Sequence, residues 1–120
     1  MWTYHQRTGH LFLHGHMIAT GYSGAPGSVN DPDAETLHAK GPIPRGHYTI
    51  GLLEAHHGTK GPFVMQLTPR GHSAHGRDHF LIHGDNTEVN HTASHGCIIL
   101  PRDIRLKLGK SGVHDLHVYR

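Results

Sequence analysis

The chain has 120 residues, a formal charge of +2 and 16 histidines, a length that supports one hydrophobic core and leaves no room for a second. Its lysines and arginines are scattered rather than clustered in a stripe, which argues against a nucleic-acid partner. No apolar run is long enough to cross a bilayer, and the opening MWTYHQRTGH has neither the basic start nor the apolar core of a signal peptide. One domain over residues 1–120 is expected, with no membrane insertion and no export route visible in this sequence, the alternative being that it is one domain of a longer protein. The histidines make the charge rise steeply below about pH 6.5.

Taken in order, Trp2 to Gln6 and Leu11 to Leu13 read as two short strands joined at Thr8-Gly9. His16 to Tyr22 offers a third strand, ended by Gly21 and Gly24. From Ser23 to Arg45 glycine, proline, aspartate and asparagine dominate, which predicts a long irregular loop with one helical turn near Ala34 to Ala39. A loop of that length in a compact domain commonly walls a binding cleft. Gly46 to Ile50, Phe63 to Leu67 and Phe80 to His83 follow as strands. Pro101 to Leu108 is the one credible helix, with proline in its first turn, Ile104 and Leu108 on one face, and Gly109 or Gly112 to end it. Leu116 to Tyr119 closes the chain as a strand. Many short strands with one short helix after the cysteine predict a mainly β sandwich or barrel.

The chemistry concentrates in Phe80 to Leu100, FLIHGDNTEVNHTASHGCIIL. Cys97 is the sole cysteine, so no intramolecular disulfide and no cysteine-based zinc site is available. It remains a buried filler or a nucleophile. Glycine, serine and histidines crowd around it where a core position would show apolar neighbours, which favours the nucleophile. A thiol becomes reactive when an imidazole takes its proton, and His83, at the end of an apolar strand, is the natural partner. Gly96 lets the backbone turn tightly, and the N–H groups around Gly96 and Cys97 are candidates for an oxyanion hole.

The run His83-Gly84, a loop, then Ser94-His95-Gly96-Cys97-Ile98 resembles the signature of the L,D-transpeptidase (YkuD-type) catalytic domain, the cysteine enzymes of bacterial peptidoglycan. Gly21-Tyr22-Ser23-Gly24, Asn30-Asp31-Pro32, Gly41-Pro42-Ile43-Pro44-Arg45-Gly46, Gly76-Arg77, Ile82-His83-Gly84-Asp85 and Ala93 to Leu100 resemble a narrower group, the small type VI secretion L,D-transpeptidase effectors, formerly a domain of unknown function. The resemblance implies a sandwich or barrel fold, Cys97 and His83 as catalytic residues, and a backbone carbonyl as third member of the triad, with Gly84 a supplier. It also implies a pocket-shaping role for His95, support of the motif by Ser94 and Gly96, and substrate contacts from Tyr22 and Ser23, while Asp85 and Asn86, by residue type, are candidates to orient His83 or the substrate. After the cysteine this chain carries Ile98-Ile99-Leu100-Pro101 where the housekeeping enzymes usually carry a polar or basic residue, which leaves Arg77 and Arg102 as candidates to grip a substrate carboxylate.

The implied activity is L,D-carboxypeptidase and L,D-transpeptidase chemistry on tetrapeptide stems through a Cys97 thioester, with no cofactor and no metal. The implied setting is an antibacterial effector made in the bacterial cytoplasm and acting in the periplasm of a target cell. Peptidoglycan stem peptides, a secretion apparatus and a cognate immunity protein are its expected partners. Two rival readings stand beside it. His14 with His16, His56 with His57, His72 with His75 and His79, or His83 with His91 and His95 would serve a zinc-dependent cell-wall peptidase, although no HExxH run occurs. A non-catalytic wall-binding module is the other.

Overall fold

A computed structural model describes residues 1–56, 58, 61–85 and 94–120. Among them are nine strands: β1 (Trp2–His5), β2 (His10–Leu13), β3 (His16–Thr20), β4 (Tyr22–Ser23), β5 (Gly46–Ile50), β6 (Met65–Arg70), β7 (Phe80–His83), β8 (Ile98–Ile99) and β9 (Asp115–Tyr119). The helix α1 spans Arg102–Lys110. The strands form one mixed sheet in the order β3-β2-β1-β9-β5-β6-β7-β8-β4.

That order contains its own closure. β3 and β4 stand at opposite ends of the sheet, yet Gly21 alone separates them in the chain. The sheet therefore curls until its two edges are neighbours, giving the nearly closed, barrel-like mainly β fold expected from the sequence. Gly21 has to be glycine for this: a Cβ there would lie 2.1 Å from the Ile99 carbonyl oxygen. The single third strand expected over His16 to Tyr22 is accordingly two strands that belong to different edges.

Alternation builds the core. Trp2 and Tyr4 of β1, Tyr48 and Ile50 of β5, Met65 and Leu67 of β6, and Leu116 and Val118 of β9 point inward, while the residue between each pair stays partly or fully exposed. Leu108 of α1 is buried against this cluster and Ile104 packs at its edge. β6 runs past the expected end at Leu67 to Arg70 and includes Pro69. β7 pairs only with Met65 to Leu67, so Pro69 lies where no neighbour on that side calls for its missing N–H.

The long segment between β4 and β5 holds a 3-10 turn at Pro32–Ala34, earlier than the helical turn expected near Ala34 to Ala39, because Asp31 caps it through the Asp33 N–H and proline opens it. Irregular as it is, this segment is tied down by Glu35. The Glu35 carboxylate accepts from Gln6 Nε2 at 2.8 Å, from the Arg45 N–H, Nε and Nη2, and meets His75 Nε2 at 3.2 Å. Burial alone pushes its pKa up, but the hydrogen bonds from Arg45, Gln6 and His75 together outweigh burial and bring it down to about 2.

A carboxylate held below its unfolded value contributes stability that is complete above about pH 4.5 and fades as pH falls towards 2. Glu35→Gln is expected to lower unfolding free energy at pH 7 by on the order of 2 kcal/mol. Urea titrations should show the gap between wild type and variant shrinking as the pH is taken from 5 to about 2.5. A gap independent of pH would show that the ionised carboxylate is not what holds this segment.

Candidate active site

The geometry begins with the pairing of β7 and β8, which run parallel with Ile82 opposite Ile98 and His83 opposite Ile99. The Leu100 N–H extends the ladder by donating to the His83 carbonyl at 3.1 Å. Phe80, Ile82, Ile98 and Leu100 face the main core, whereas Leu81, Cys97 and Ile99 join Tyr22 and Val64 in a second, smaller cluster. Cys97 sits one step before Ile98, level with Leu81, and alternation places His83 on that same face two residues further along. The two are thus diagonal neighbours on one side of the sheet, a spacing of roughly 7 Å between backbones that side chains readily span.

The tautomer of His83 follows from its partner. Nδ1 lies 2.8 Å from the Gly84 carbonyl oxygen, and since a carbonyl only accepts, Nδ1 carries the proton and donates. In the neutral ring Nε2 then bears the lone pair, the form a general base needs. Both side chains are largely sheltered, His83 at 3% and Cys97 at 8% exposure. The Cys97 thiol donates to the His79 carbonyl at 3.7 Å.

Ser94 shapes the turn that carries the thiol. Its hydroxyl donates to the Cys97 carbonyl at 2.7 Å and accepts from the Gly24 and Gly96 N–H groups at 2.9 and 3.1 Å. The Gly96 N–H, expected from sequence to help line an oxyanion hole, is therefore engaged by Ser94. Ser23 reinforces the same turn from β4, donating to the Gly96 carbonyl at 3.2 Å and accepting from the Ile43 N–H at 2.8 Å. Gly96 adopts φ +133, and a Cβ there would lie 2.6 Å from Arg77 Nη2, so only glycine fits.

Arg77 is 6% exposed and directs its guanidinium at backbone carbonyls: Glu35 and Pro42 through Nη1, Gly41 and His95 through Nη2. It joins the long loop to the cysteine turn rather than presenting a free fork to a carboxylate. Burial lowers its pKa, and attraction to Tyr48, Glu35 and Cys97 partly offsets this. The guanidinium thus places a positive charge near Cys97.

Two cavities flank this arrangement. The larger, about 660 Å³, opens onto Cys97, and its walls include His38 and Ala39 of the long loop, Asp78, His79 and His95. His95 is anchored by its Nδ1, which donates to the Ala39 carbonyl at 3.1 Å. The smaller, about 400 Å³, lies past the ends of β7 and β8 and is lined by Tyr22, Gly84, Asp85, Arg102 and Arg105 among others. Tyr22 donates to Asp85 Oδ1 at 2.6 Å, and the Arg102 guanidinium lies 4.6 Å from the centre of the Phe63 ring. Of the five residues expected to contact substrate, Tyr22, Asp85 and Arg102 thus gather at the second cavity, Arg77 lines the larger one while tying backbone carbonyls together, and Ser23 is an interior tie.

Arg105 was not singled out from sequence. The sequence signal for it is its place three residues after Arg102 on one helix, which sets the two side chains on neighbouring positions of the helix surface. Asn86, His91 and Ala93, and His57 of the histidine pairs, lie outside the described residues. Among those described, no three of His, Cys, Asp and Glu assemble as a metal-holding group, and no helix is long and apolar enough to cross a membrane.

A parallel strand pair presenting a cysteine and a correctly tautomerised histidine on a curled mainly β sheet defines the L,D-transpeptidase class of fold. Residues 16–118 match the Tlde1 domain, and the chain belongs to this family of type VI effector L,D-transpeptidases. Among solved structures it resembles the crystal structure of a cysteine-to-serine mutant of the Enterococcus faecium L,D-transpeptidase, with TM-score 0.57 and 16% identity over 98% of this chain and 48% of that one. The chain thus spans about half the length of that protein, and the likeness is one of fold. A comparison with curated proteins finds no match.

Ser94→Ala removes one donor and strands two buried N–H groups, which is expected to lower unfolding free energy by about 2–4 kcal/mol. Ser94→Thr, which keeps the hydroxyl, should recover part of it. Denaturant midpoints of the two variants check this, and an Ala variant as stable as wild type would show that the hydroxyl does not hold the turn.

Proposed function

We propose that the chain is a cysteine enzyme that trims and exchanges the ends of peptidoglycan tetrapeptide stems. The observation that carries this reading is the His83 ring, fixed by the Gly84 carbonyl with its Nε2 as the basic atom, on the sheet face that also bears Cys97. Membership of an L,D-transpeptidase family supports the choice of substrate.

In the proposed reaction His83 Nε2 takes the Cys97 proton, and sulfur attacks the carbonyl of the amide joining the L-centre of the third, diamino-acid residue to the terminal D-alanine. The oxyanion develops beside the turn that Ser94 and Ser23 hold rigid. His83 then returns the proton to the departing D-alanine nitrogen as the C–N bond breaks, leaving a Cys97 thioester. Water resolves it as a carboxypeptidase, a free D-amino acid by exchange, and the amine of a second stem by a 3-3 crosslink. Trimming and exchange deplete the tetrapeptide donors of a growing wall, which would make the protein toxic to a competitor. Action in the periplasm of a target cell, delivery by a secretion apparatus and neutralisation by a cognate immunity protein belong to the same proposal.

Wild-type protein incubated with disaccharide tetrapeptides is expected to release D-alanine, detected by mass spectrometry. Cys97→Ala should lower the rate by about a thousandfold or more and His83→Ala by about a hundredfold or more. A thiol alkylator should abolish the release while a chelator leaves it intact. Equal activity in all three proteins would sink the proposal, loss to the chelator alone would favour a zinc peptidase, and tight wall binding without turnover would favour a binding module.

A further inference from the structure

His83 owes its tautomer to a carbonyl on the least constrained kind of residue. Its Nδ1 donates to the oxygen of Gly84, the next residue in the chain, and Gly84 already lies past the end of β7. Glycine outside a regular element has more backbone freedom than any other residue. A turn of the Gly84 peptide would carry its oxygen away from the ring and release the Nδ1 proton. Something other than strand pairing has to hold that peptide.

Arg105 lies against it. The guanidinium covers Gly84 where a side chain would stand, since a Cβ there would lie 2.8 Å from Nη2, 3.0 Å from Cζ and 3.2 Å from Nη1. Gly84 is not in the left-handed region, so its backbone would accept a side chain; the arginine is what leaves no space for one. The plate is itself fixed from the far side. Nη1 donates to the Pro62 and Phe63 carbonyls at 2.8 and 3.3 Å, and the Arg105 N–H donates to the Pro101 carbonyl at 3.0 Å in the first turn of α1. The approach to β6, the start of α1 and the end of β7 thus meet at one buried side chain, 7% exposed.

Stability alone is a poor reason for an arginine in this place. Its buried Nε has no hydrogen-bond partner among the described residues. Burial lowers its pKa and repulsion from Arg102 lowers it further, with no acidic group offsetting them. An apolar side chain of similar volume would fill the space without those penalties. It would not grip two carbonyls and lie as a rigid plane across a glycine.

We propose that Arg105 is a positioning residue for the general base: by pinning the Gly84 peptide it keeps the carbonyl turned to His83 Nδ1, and so keeps the ring's lone pair on Nε2. Arg105 transfers no proton itself; it acts through Gly84 on the ring. The step it serves, proton removal from Cys97, rests on the cleavage chemistry proposed above, whereas the tautomer of the resting ring does not.

The test reads the ring directly. Long-range proton–nitrogen NMR of 15N-labelled protein at about pH 8, where ordinary imidazoles are neutral, tells a protonated ring nitrogen from one with a lone pair, and the signals lost in His83→Gln identify this ring. Wild type is expected to show the proton on Nδ1. Arg105→Met, which keeps the apolar stem without the fork, should give a mixed or reversed tautomer, and D-alanine release should lose at least about tenfold in kcat with KM changed by less than about twofold. Arg105→Lys keeps the charge but not the plane and should fall between the two, which leaves the idea open to test if Arg105→Met does not fold. A proton on Nε2 in wild type, an unchanged tautomer in either variant whether or not its thermal midpoint drops, or a loss confined to KM would each overturn the assignment. A tautomer that shifts as expected in a protein that releases no D-alanine would count against the cleavage chemistry and leave the positioning role standing.

Discussion

The parallel ladder between β7 and β8 is the constraint from which the rest of the site follows. Parallel neighbours cannot be joined by a tight turn, because the chain must travel back the length of the strand before it can run alongside again. The long connection between His83 and Ile98 meets that requirement, and it returns with the cysteine at its end. The one-residue alternation of the two strands then sends Leu81, His83, Cys97 and Ile99 to one side and Phe80, Ile82, Ile98 and Leu100 to the other. A register slip of a single residue would turn the thiol into the core and an isoleucine into the cavity.

Two polar hubs keep that register. Ser94 closes the turn before β8 with three hydrogen bonds, and Arg77 gathers carbonyls from Glu35, Gly41, Pro42 and His95. Buried polar networks of this kind stabilise only when their members are satisfied, and they then fix one arrangement among many of similar apolar burial. Here they fasten an irregular loop, otherwise poor in core residues, against the cysteine turn. The same guanidinium places a positive charge near the thiol, so a group that holds the loop also biases the chemistry next to it.

Two cavities flank the strand pair that carries Cys97 and His83. The larger opens at Cys97; the smaller, lined by Tyr22, Asp85, Arg102 and Arg105 among others, lies beyond the histidine.

Local pattern in the sequence determined most strands of the sheet and the α-helix, because period-two burial and proline-led helix starts are written in neighbouring residues, but the two-residue strand Ile98–Ile99 was not expected from it. It also drew attention to Cys97 and His83, a lone thiol among glycine and serine and an imidazole ending an apolar run. The split of one expected strand at Gly21, the closure of the sheet through that residue, the use of Arg77 and Ser23 as interior ties, and the meeting of Arg105 with Arg102, Asp85 and Tyr22 were settled only by the tertiary structure. Each of these depends on partners far away in the chain, such as Ile99 beside Gly21 or Asp85 beside Tyr22. Nothing in the periodicity of a segment specifies which distant carbonyl, carboxylate or Cβ-sized space it will meet once the sheet has curled.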